Sequence, residues 1–469
     1  MEGHPRWVCG ATQTLVLLAF IYLVYTQSFG FDPINLYSGT TRALSKSATL
    51  EEVGVLKDTN LQPLFQSLLG NDDLQNQLQT TGFACDSTIH SLVCIASNPL
   101  KIDTKTMQIY TTKSTLFNST NSTNILHYKQ VRPYAWSQLS LLQNITPVNF
   151  LPEPPPPLHH HCTHTHPVPA LVFSSGGFSG NLFHEFNEII IPLYLTSRVF
   201  NSRVRFIVVD YNPYIVTKYN RVFSRLSDFE ILNSTVDTAV HCFPGAVVGL
   251  QMHGFLAINS SGVPKGNSMI EFRNFIRTVY GLKTVNVSDI TGAATATAPV
   301  LVLVSRRKTR SFLNEDEMVD MMEDLGFEVI VVRSVKKMSN LERFGRVLST
   351  CSVLVGAHGA GMTNQVFLPA GAVVVQVVPL GLEWPASVYF GEPAVRMGLN
   401  YLEYKIGPGE SSLSDTYSDD DPVISDPGSV FAKGYYFGKE MYLDKQNVRV
   451  DVNRFKGTLS EALRLLKRI

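Results

Sequence analysis

The chain has no charge of one sign to spare. Lys plus Arg and Asp plus Glu stand at 39 each over 469 residues, so no net basic field exists to hold nucleic acid or an anionic membrane by charge alone. It has no second apolar run: after Trp7 to Tyr25, nothing approaches the ~20 apolar residues a spanning helix needs. It lacks H-E-x-x-H, because His184 and Glu188 stand four apart with no second histidine, and this excludes a zinc hydrolase of that type. It lacks G-x-G-x-x-G, since Gly176-Gly177-Phe178-Ser179-Gly180 has a different spacing, which argues against a nicotinamide site. It also lacks an Asp-x-Asp borne on a strand. Asp419-Asp420-Asp421 lies between Ser411 and Ser429, a stretch rich in Ser, Asp, Pro and Gly with no strand to fix two carboxylates on one ion. The histidines at 159, 160, 161, 164 and 166, with Cys162 among them, follow the stiff run Pro154-Pro155-Pro156-Pro157, where no turn sets a zinc geometry. No metal and no cofactor are expected.

What is there suits a large folded protein, with 44% hydrophobic residues and length enough for two cores. Trp7 to Tyr25 carries no charge and holds Leu15, Val16, Leu17, Leu18, Phe20, Ile21, Leu23 and Val24. It is longer than a signal-peptide core and is expected to be an amino-terminal transmembrane anchor. Asn118, Asn121, Asn144, Asn233, Asn259 and Asn286 each open an Asn-x-Ser/Thr triplet, which favours the secretory lumen for everything behind the anchor. Cys85 and Cys94 are nine apart, a spacing that closes a small disulfide loop in an oxidising compartment. Of the remaining lumenal cysteines, Cys162 with Cys242 is the expected pair and Cys351 the buried thiol, with three unpaired core cysteines as the alternative.

Four regions follow: tail and anchor at 1–30, a Ser/Thr/Gln/Asn-rich stem at 31–80, an α/β domain at 81–290 and a second at 291–469. Strands are expected at Ala170 to Phe173, Val204 to Val209, Val300 to Val304, Phe327 to Val332, Ser352 to Val355 and Ala372 to Val378. Between them Asn314 is a plausible N-cap, with Glu315, Asp316 and Glu317 in a first turn, Met318, Met321, Met322 and Leu325 as a buried stripe and Gly326 as the stop. This alternation implies parallel sheets covered on both faces, in two units split near 290 to 298, with a cleft between them.

Ligands of such sheets sit at the carboxyl ends of strands. Val355-Gly356-Ala357-His358-Gly359-Ala360-Gly361-Met362-Thr363-Asn364 ends a strand in a Gly-spaced loop that opens a helix. His358, Gly359, Gly361, Thr363 and Asn364 are therefore candidate holders of a diphosphate. Ser305-Arg306-Arg307-Lys308-Thr309-Arg310 follows the first strand of the same unit, so Arg306 is expected on the same rim, where a guanidinium grips phosphate oxygens. In the first domain, Gly176, Gly177 and Asn181 lead into a helix carrying His184 and Glu185, either of which could accept a proton from a hydroxyl in the cleft. Arg310 is a further cleft candidate.

At these residues the chain resembles glycosyltransferase family 61, in the clade of grass xylan arabinosyl- and xylosyltransferases. Three blocks carry the likeness: Ser175 to Phe186 with Pro192-Leu193; Val304 to Arg310 with Asn314; and Val355 to Asn364 with Phe367-Leu368-Pro369. It extends from about Gly82 through Val448 to Phe455. Ala357 and Met362 stand where the family often has Val and Leu, and Glu185 where it often has Asp. The resemblance implies a GT-B type fold of two Rossmann-like domains facing a cleft and an inverting, metal-independent transfer of a pentose. UDP-xylose or UDP-arabinofuranose would be the donor, xylan or a xylooligosaccharide the acceptor, and the Golgi membrane the site of a single-pass type II enzyme. Transfer of β-1,2-xylose to N-glycans and a catalytically silent polysaccharide-binding protein are the competing readings.

Overall fold

A computed structural model describes residues 60–88, 90–111, 129–136, 142–152, 161–259, 268–291 and 298–467. The expected anchor, Asn118, Asn121, the polyproline run with His159 and His160, and residues 292–297 of the split near 290 to 298 lie outside the described residues. No described helix is long and apolar enough to cross a membrane.

The first half is built on a six-stranded sheet. Its parallel core is β3 (Ala246–Val248), β1 (Ala170–Ser174) and β2 (Arg205–Val209), in that order, with Leu232–Asn233 beyond β2. Leu92–Ala96 adds antiparallel to β3, and Phe83–Ser87 to that strand. Side chains of a strand alternate between faces, and here each face meets a different core. Leu171, Phe173, Phe206 and Val208 enter the large helical core, while Ala170, Val172, Ile207 and Val209 enter a second cluster.

That second cluster corrects the expectation of helices on both faces. A second six-stranded sheet, Lys129–Val131, Val148–Pro152, Gln108–Thr111, Leu100–Asp103, Val240–Phe243 and His164–Thr165, contributes Ile102, Ile109, Phe150 and Phe243 against the first. Its strands are two to five residues long, too short to print a period in the sequence. Residues 60 to 80, read as stem, also belong to the fold. Gln62–Gln66 and Asp72–Thr81 are helical, and Phe65, fully buried, packs edge-on against Phe200 at 5.8 Å. Cys85 is bonded to Cys94 across the antiparallel pair, and Cys162 to Cys242. Cys351 is a buried thiol whose pKa burial pushes up to about 12.

The second half is a five-stranded, all-parallel sheet in the order β5 (Glu328–Val332), β4 (Val300–Val304), β6 (Val353–Ala357), β7 (Val373–Val378), β8 (Asn400–Lys405). β4, β6 and β7 read Val and Leu almost throughout because both faces are covered. The strand order reverses between β4 and β6, and at such a switch point the loops diverge and leave a crevice at the carboxyl edge.

The helix Glu315–Asp324 begins after Asn314, which stands at the expected N-cap position, with Met318 and Met322 buried, but the Asn314 side chain makes no cap hydrogen bond. Its amide donates to the Val450 carbonyl at 2.8 Å and accepts from the Val450 N–H at 3.0 Å. The side chain is thus spent on tying the tail to the sheet.

Candidate active site

Arg306 and His358 leave the sheet on either side of the switch point. The Arg306 Nε donates to the Thr309 carbonyl at 2.8 Å, which folds the guanidinium back over the next loop. There it lies on Gly359, whose φ is +147° and where an added Cβ would stand 2.5 Å from an Arg306 terminal nitrogen. Arg310, buried and with φ +54°, donates to the His358 carbonyl at 3.3 Å. Two guanidiniums therefore converge on the His358-Gly359 backbone.

The histidine's protonation follows from its neighbours. The Gln376 amide nitrogen lies 2.9 Å from His358 Nδ1, and the Tyr401 hydroxyl fixes that amide by donating to its oxygen at 2.7 Å. Nδ1 therefore accepts, and the ring proton sits on Nε2. Burial, reinforced by Arg310 and Arg306, holds the His358 pKa well below its ordinary value, so the ring is a neutral N–H donor at physiological pH. Next to it opens a cavity of about 170 Å³, walled by Leu382, Trp384, Tyr389, Phe431 and Tyr435. Aromatic and aliphatic walls suit a flat ring, and a polar donor at the edge suits what the ring carries.

Thr363 and Asn364, grouped in the sequence with the anion site, are buried completely under the 3₁₀ turn Ala360–Phe367. Asn364 donates back to the Gly361 carbonyl at 2.9 Å. Asn364 so braces the turn from within, while its amide oxygen and the Thr363 hydroxyl are buried with no hydrogen-bond partner among the described residues. At Gly361 a Cβ would press on Val304 at 2.9 Å, so that glycine serves close packing of turn on strand.

In the first half, the loop Ser174 to Asn181 ends in an N-cap, the Asn181 side chain accepting from the Phe183 N–H at 3.0 Å. The helix that follows changes winding twice: α over Leu182–His184, π over Glu185–Ile190, α over Ile191–Ser197. Such π turns, which insert an extra residue, often mark functional positions. Here one side of the turn carries His184 Nδ1 hydrogen-bonded to Glu188, whose other oxygen accepts from the buried Tyr134 hydroxyl. A carboxylate on Nδ1 fixes the imidazole's orientation and turns Nε2 away from the pair. That nitrogen is buried here, the ring lying 4.4 Å from Phe178, so a hydroxyl reaches it only when Phe178 moves aside.

Glu185 faces the other way. It is fully buried, and its carboxylate accepts from the Gly180 N–H at 2.9 Å, from Lys218 at 2.5 Å and from the Tyr219 hydroxyl at 2.6 Å. A carboxylate so committed holds the Gly180 loop in place, and the geometry favours His184 over Glu185 as proton acceptor. Gly177, with φ +72°, leaves room for Tyr134, whose ring would lie 2.5 Å from an added Cβ. Gly176 donates to Ser174 Oγ at 3.0 Å in the same loop.

The halves meet at these loops. Phe183 packs on Tyr389 at 5.1 Å and on Phe390 at 5.6 Å, and Phe390 in turn lies edge-on to His358 at 5.4 Å. His184, edge-on to Phe183 at 5.4 Å, is thus separated from His358 by two rings. The i, i+4 spacing was the sequence signal for Glu188; Tyr134, Gln376 and Tyr401 had none. Asp421 caps a short helix through the Val423 N–H at 2.8 Å, and Asn144, Asn259 and Asn286 are exposed.

A family model described as Glycosyltransferase 61 matches residues 88–375. Among curated proteins, the chain is 36% identical over 395 residues to the xylan glycosyltransferase MUCI21 of Arabidopsis thaliana, covering 81% of this chain and 78% of that one. It is 42% identical over 303 residues to the α-1,3-arabinosyltransferase XAT2 of Oryza sativa subsp. japonica, covering 64% and 52%. To the β-1,2-xylosyltransferase XAX1 of the same species it is 35% identical over 338 residues, covering 71% and 59%. The matched region thus spans only a little over half the length of the two rice proteins.

Proposed function

The chain belongs to the glycosyltransferase 61 family, and from that premise we propose that it moves a pentose, xylose or arabinofuranose, from a UDP-sugar onto xylan with inversion. The observation that carries this reading is a cationic crevice on one half and a fixed imidazole on the other, brought together where Phe183 packs on Phe390. Arg306, Arg310 and the His358 N–H converge at the switch point of one half, while His184, held by Glu188, stands on the other. The names of the relatives support the pentose and the acceptor.

In this mechanism His184 Nε2 takes the proton of an acceptor hydroxyl as that oxygen attacks the anomeric carbon from the face opposite the diphosphate. The bond from that carbon to the diphosphate oxygen breaks, its electron pair leaving with UDP. Two guanidiniums and one N–H then face the charge as it develops, where preorganised donors are worth most. They supply positive charge without a metal, so turnover is expected to persist in EDTA. The flat-walled cavity beside His358 is assigned to the uracil ring. The layout is read as GT-B, with domains at 81–290 and 291–469 across the gap. Trp7 to Tyr25 is read as the anchor of a type II Golgi enzyme with its domains in the lumen.

The test is a secreted protein lacking residues 1–30, incubated with UDP-xylose and UDP-arabinofuranose and with xylooligosaccharides or N-glycans in EDTA. Pentose transfer to the xylooligosaccharide is the expected result. Transfer only to the N-glycan, or only with added manganese, would overturn the corresponding part of the reading.

A further inference from the structure

Although the chain is neutral as a whole, one groove is not. It runs between Pro213 to Arg221, beyond the carboxyl end of β2, and Ser339 to Arg346, beyond that of β5. Two adjoining sections of about 670 and 600 Å³ share Arg221, Tyr280 and Glu342. The groove therefore lies between the two halves, and none of His184, Arg306, Arg310 and His358 lines it.

Its charge is one-sided. Lys218, Arg221, Lys283 and Arg346 line it against a single acid, Glu342. Lys218 is neutralised from behind by buried Glu185. Glu342 is shared, taking Arg221 at 2.8 Å from the first half and Arg346 from its own helix. One carboxylate between two guanidiniums leaves an unbalanced charge there, and Lys283, exposed on the rim, adds another. Lys336 and Lys337 stand exposed just upstream of Ser339. The rest of the lining suits a polyol: Asn220 and Asn340 offer amides, and Tyr214, 45% exposed, offers a ring on which a sugar face can rest.

We infer that this groove holds the acceptor chain and selects one that carries carboxylates, a polysaccharide with uronosyl branches. The inference rests on the proposed transfer to a polysaccharide. It adds that the branch acid pairs with Lys283 and with the guanidinium charge that Glu342 leaves uncompensated, while the neutral backbone lies on Tyr214. Ion pairs on an exposed rim are weak singly and screened by salt. The expected preference is therefore modest and salt-sensitive.

The experiment measures binding, without donor, of a linear xylooligosaccharide and of the same oligosaccharide bearing one glucuronosyl branch, and then compares their KM values in transfer. The branched ligand is expected to bind roughly three- to tenfold more tightly, the scale of two exposed ion pairs. That gap should shrink in about 0.5 M salt. The double variant Lys283→Gln, Arg346→Gln should close it, while Lys456→Gln, an exposed lysine on the last helix, should leave it open. Equal binding of the two ligands by the parent, or a gap that survives the double variant, overturns the inference. Transfer to both oligosaccharides with no gap would sink the groove assignment alone. A gap that the double variant closes, in a protein that transfers no pentose, would sink the proposed activity alone.

Discussion

His184 and Glu185 are adjacent in the chain and face opposite ways, and a pair of substitutions separates their work. His184→Ala should lower transfer by roughly 10² to 10⁴, the usual worth of a general base, well beyond what any fall in melting temperature from leaving buried Glu188 without its partner explains. Glu185→Gln removes the charge that compensates Lys218 inside the protein. Breaking one side of a buried pair costs about 3 to 5 kcal/mol, so here the melting temperature should fall first. If Glu185→Gln melts like the parent and transfers nothing, the two roles are reversed. On the other side of the gap, Arg306→Ala and His358→Ala should each cost roughly ten- to a hundredfold in transfer, the scale of one charge-assisted bond made in the transition state. Arg307 is exposed, and Arg307→Ala should change turnover only a few-fold. UDP titration of the three variants, after matched melting curves, decides it.

At the scale of elements, two glycines set the clearances on which those side chains depend. Gly359→Ala would set a methyl against the Arg306 guanidinium in a backbone region that alanine avoids. UDP affinity should drop as in Arg306→Ala, although no charge is lost. Gly177→Ala would push the Tyr134 ring from its place against Glu188 and should reduce turnover through His184, with the pH profile of kcat displaced. Four strands of the second half's sheet were legible because β4 to β7 are runs of Val, Leu and Ile bounded by turns, from which the switch-point loops could be placed, whereas β8, Asn-Tyr-Leu-Glu-Tyr-Lys, carries no such run and was missed. The sheet behind β1 and β2 was not legible either, since two-residue strands such as His164–Thr165 exist only through partners 75 residues or more away. The site was legible where chemistry is local, as in His184 with Glu188 four residues on. Gln376 and Tyr401, which set the His358 tautomer, are brought there only by strand order.

At the scale of the whole molecule, four described histidines couple stability to acid, since burial lowers the pKa of His90, His166, His253 and His358. Burial, together with Arg205, lowers the His166 pKa to about 4, and His358 is depressed by burial and by Arg310 and Arg306. Below the ordinary histidine value of 6.5 the unfolded chain binds protons at these rings that the folded chain refuses. The protein should thus lose stability as pH falls from about 6.5 toward 4. Denaturant midpoints across that range should decline for the parent and less steeply for His166→Gln. An identical slope in the variant would remove His166 from the account.

The tail has a consequence for the order of events in biosynthesis. The Gln446 carbonyl accepts from the Arg310 N–H at 2.7 Å, Asn447 from Ser311 at 2.7 Å, and Val450 holds Asn314. The loop that presents Arg306 and Arg310 is thus pinned by residues that leave the ribosome about 140 positions later. A growing chain can fold its first half and close both disulfides while that loop still lacks its clasp and the helix Val452–Leu466 has yet to cover β7 and β8. Competence to grip a donor would then arrive last and abruptly, with release of the tail, so that unfinished chains would not compete for nucleotide sugar. Removing residues 446–469 would take the helix Val452–Leu466 and its buried face with the clasp. Asn447→Ala loosens the clasp alone, touches none of the groups that meet donor or acceptor, and should weaken UDP binding at a matched melting temperature.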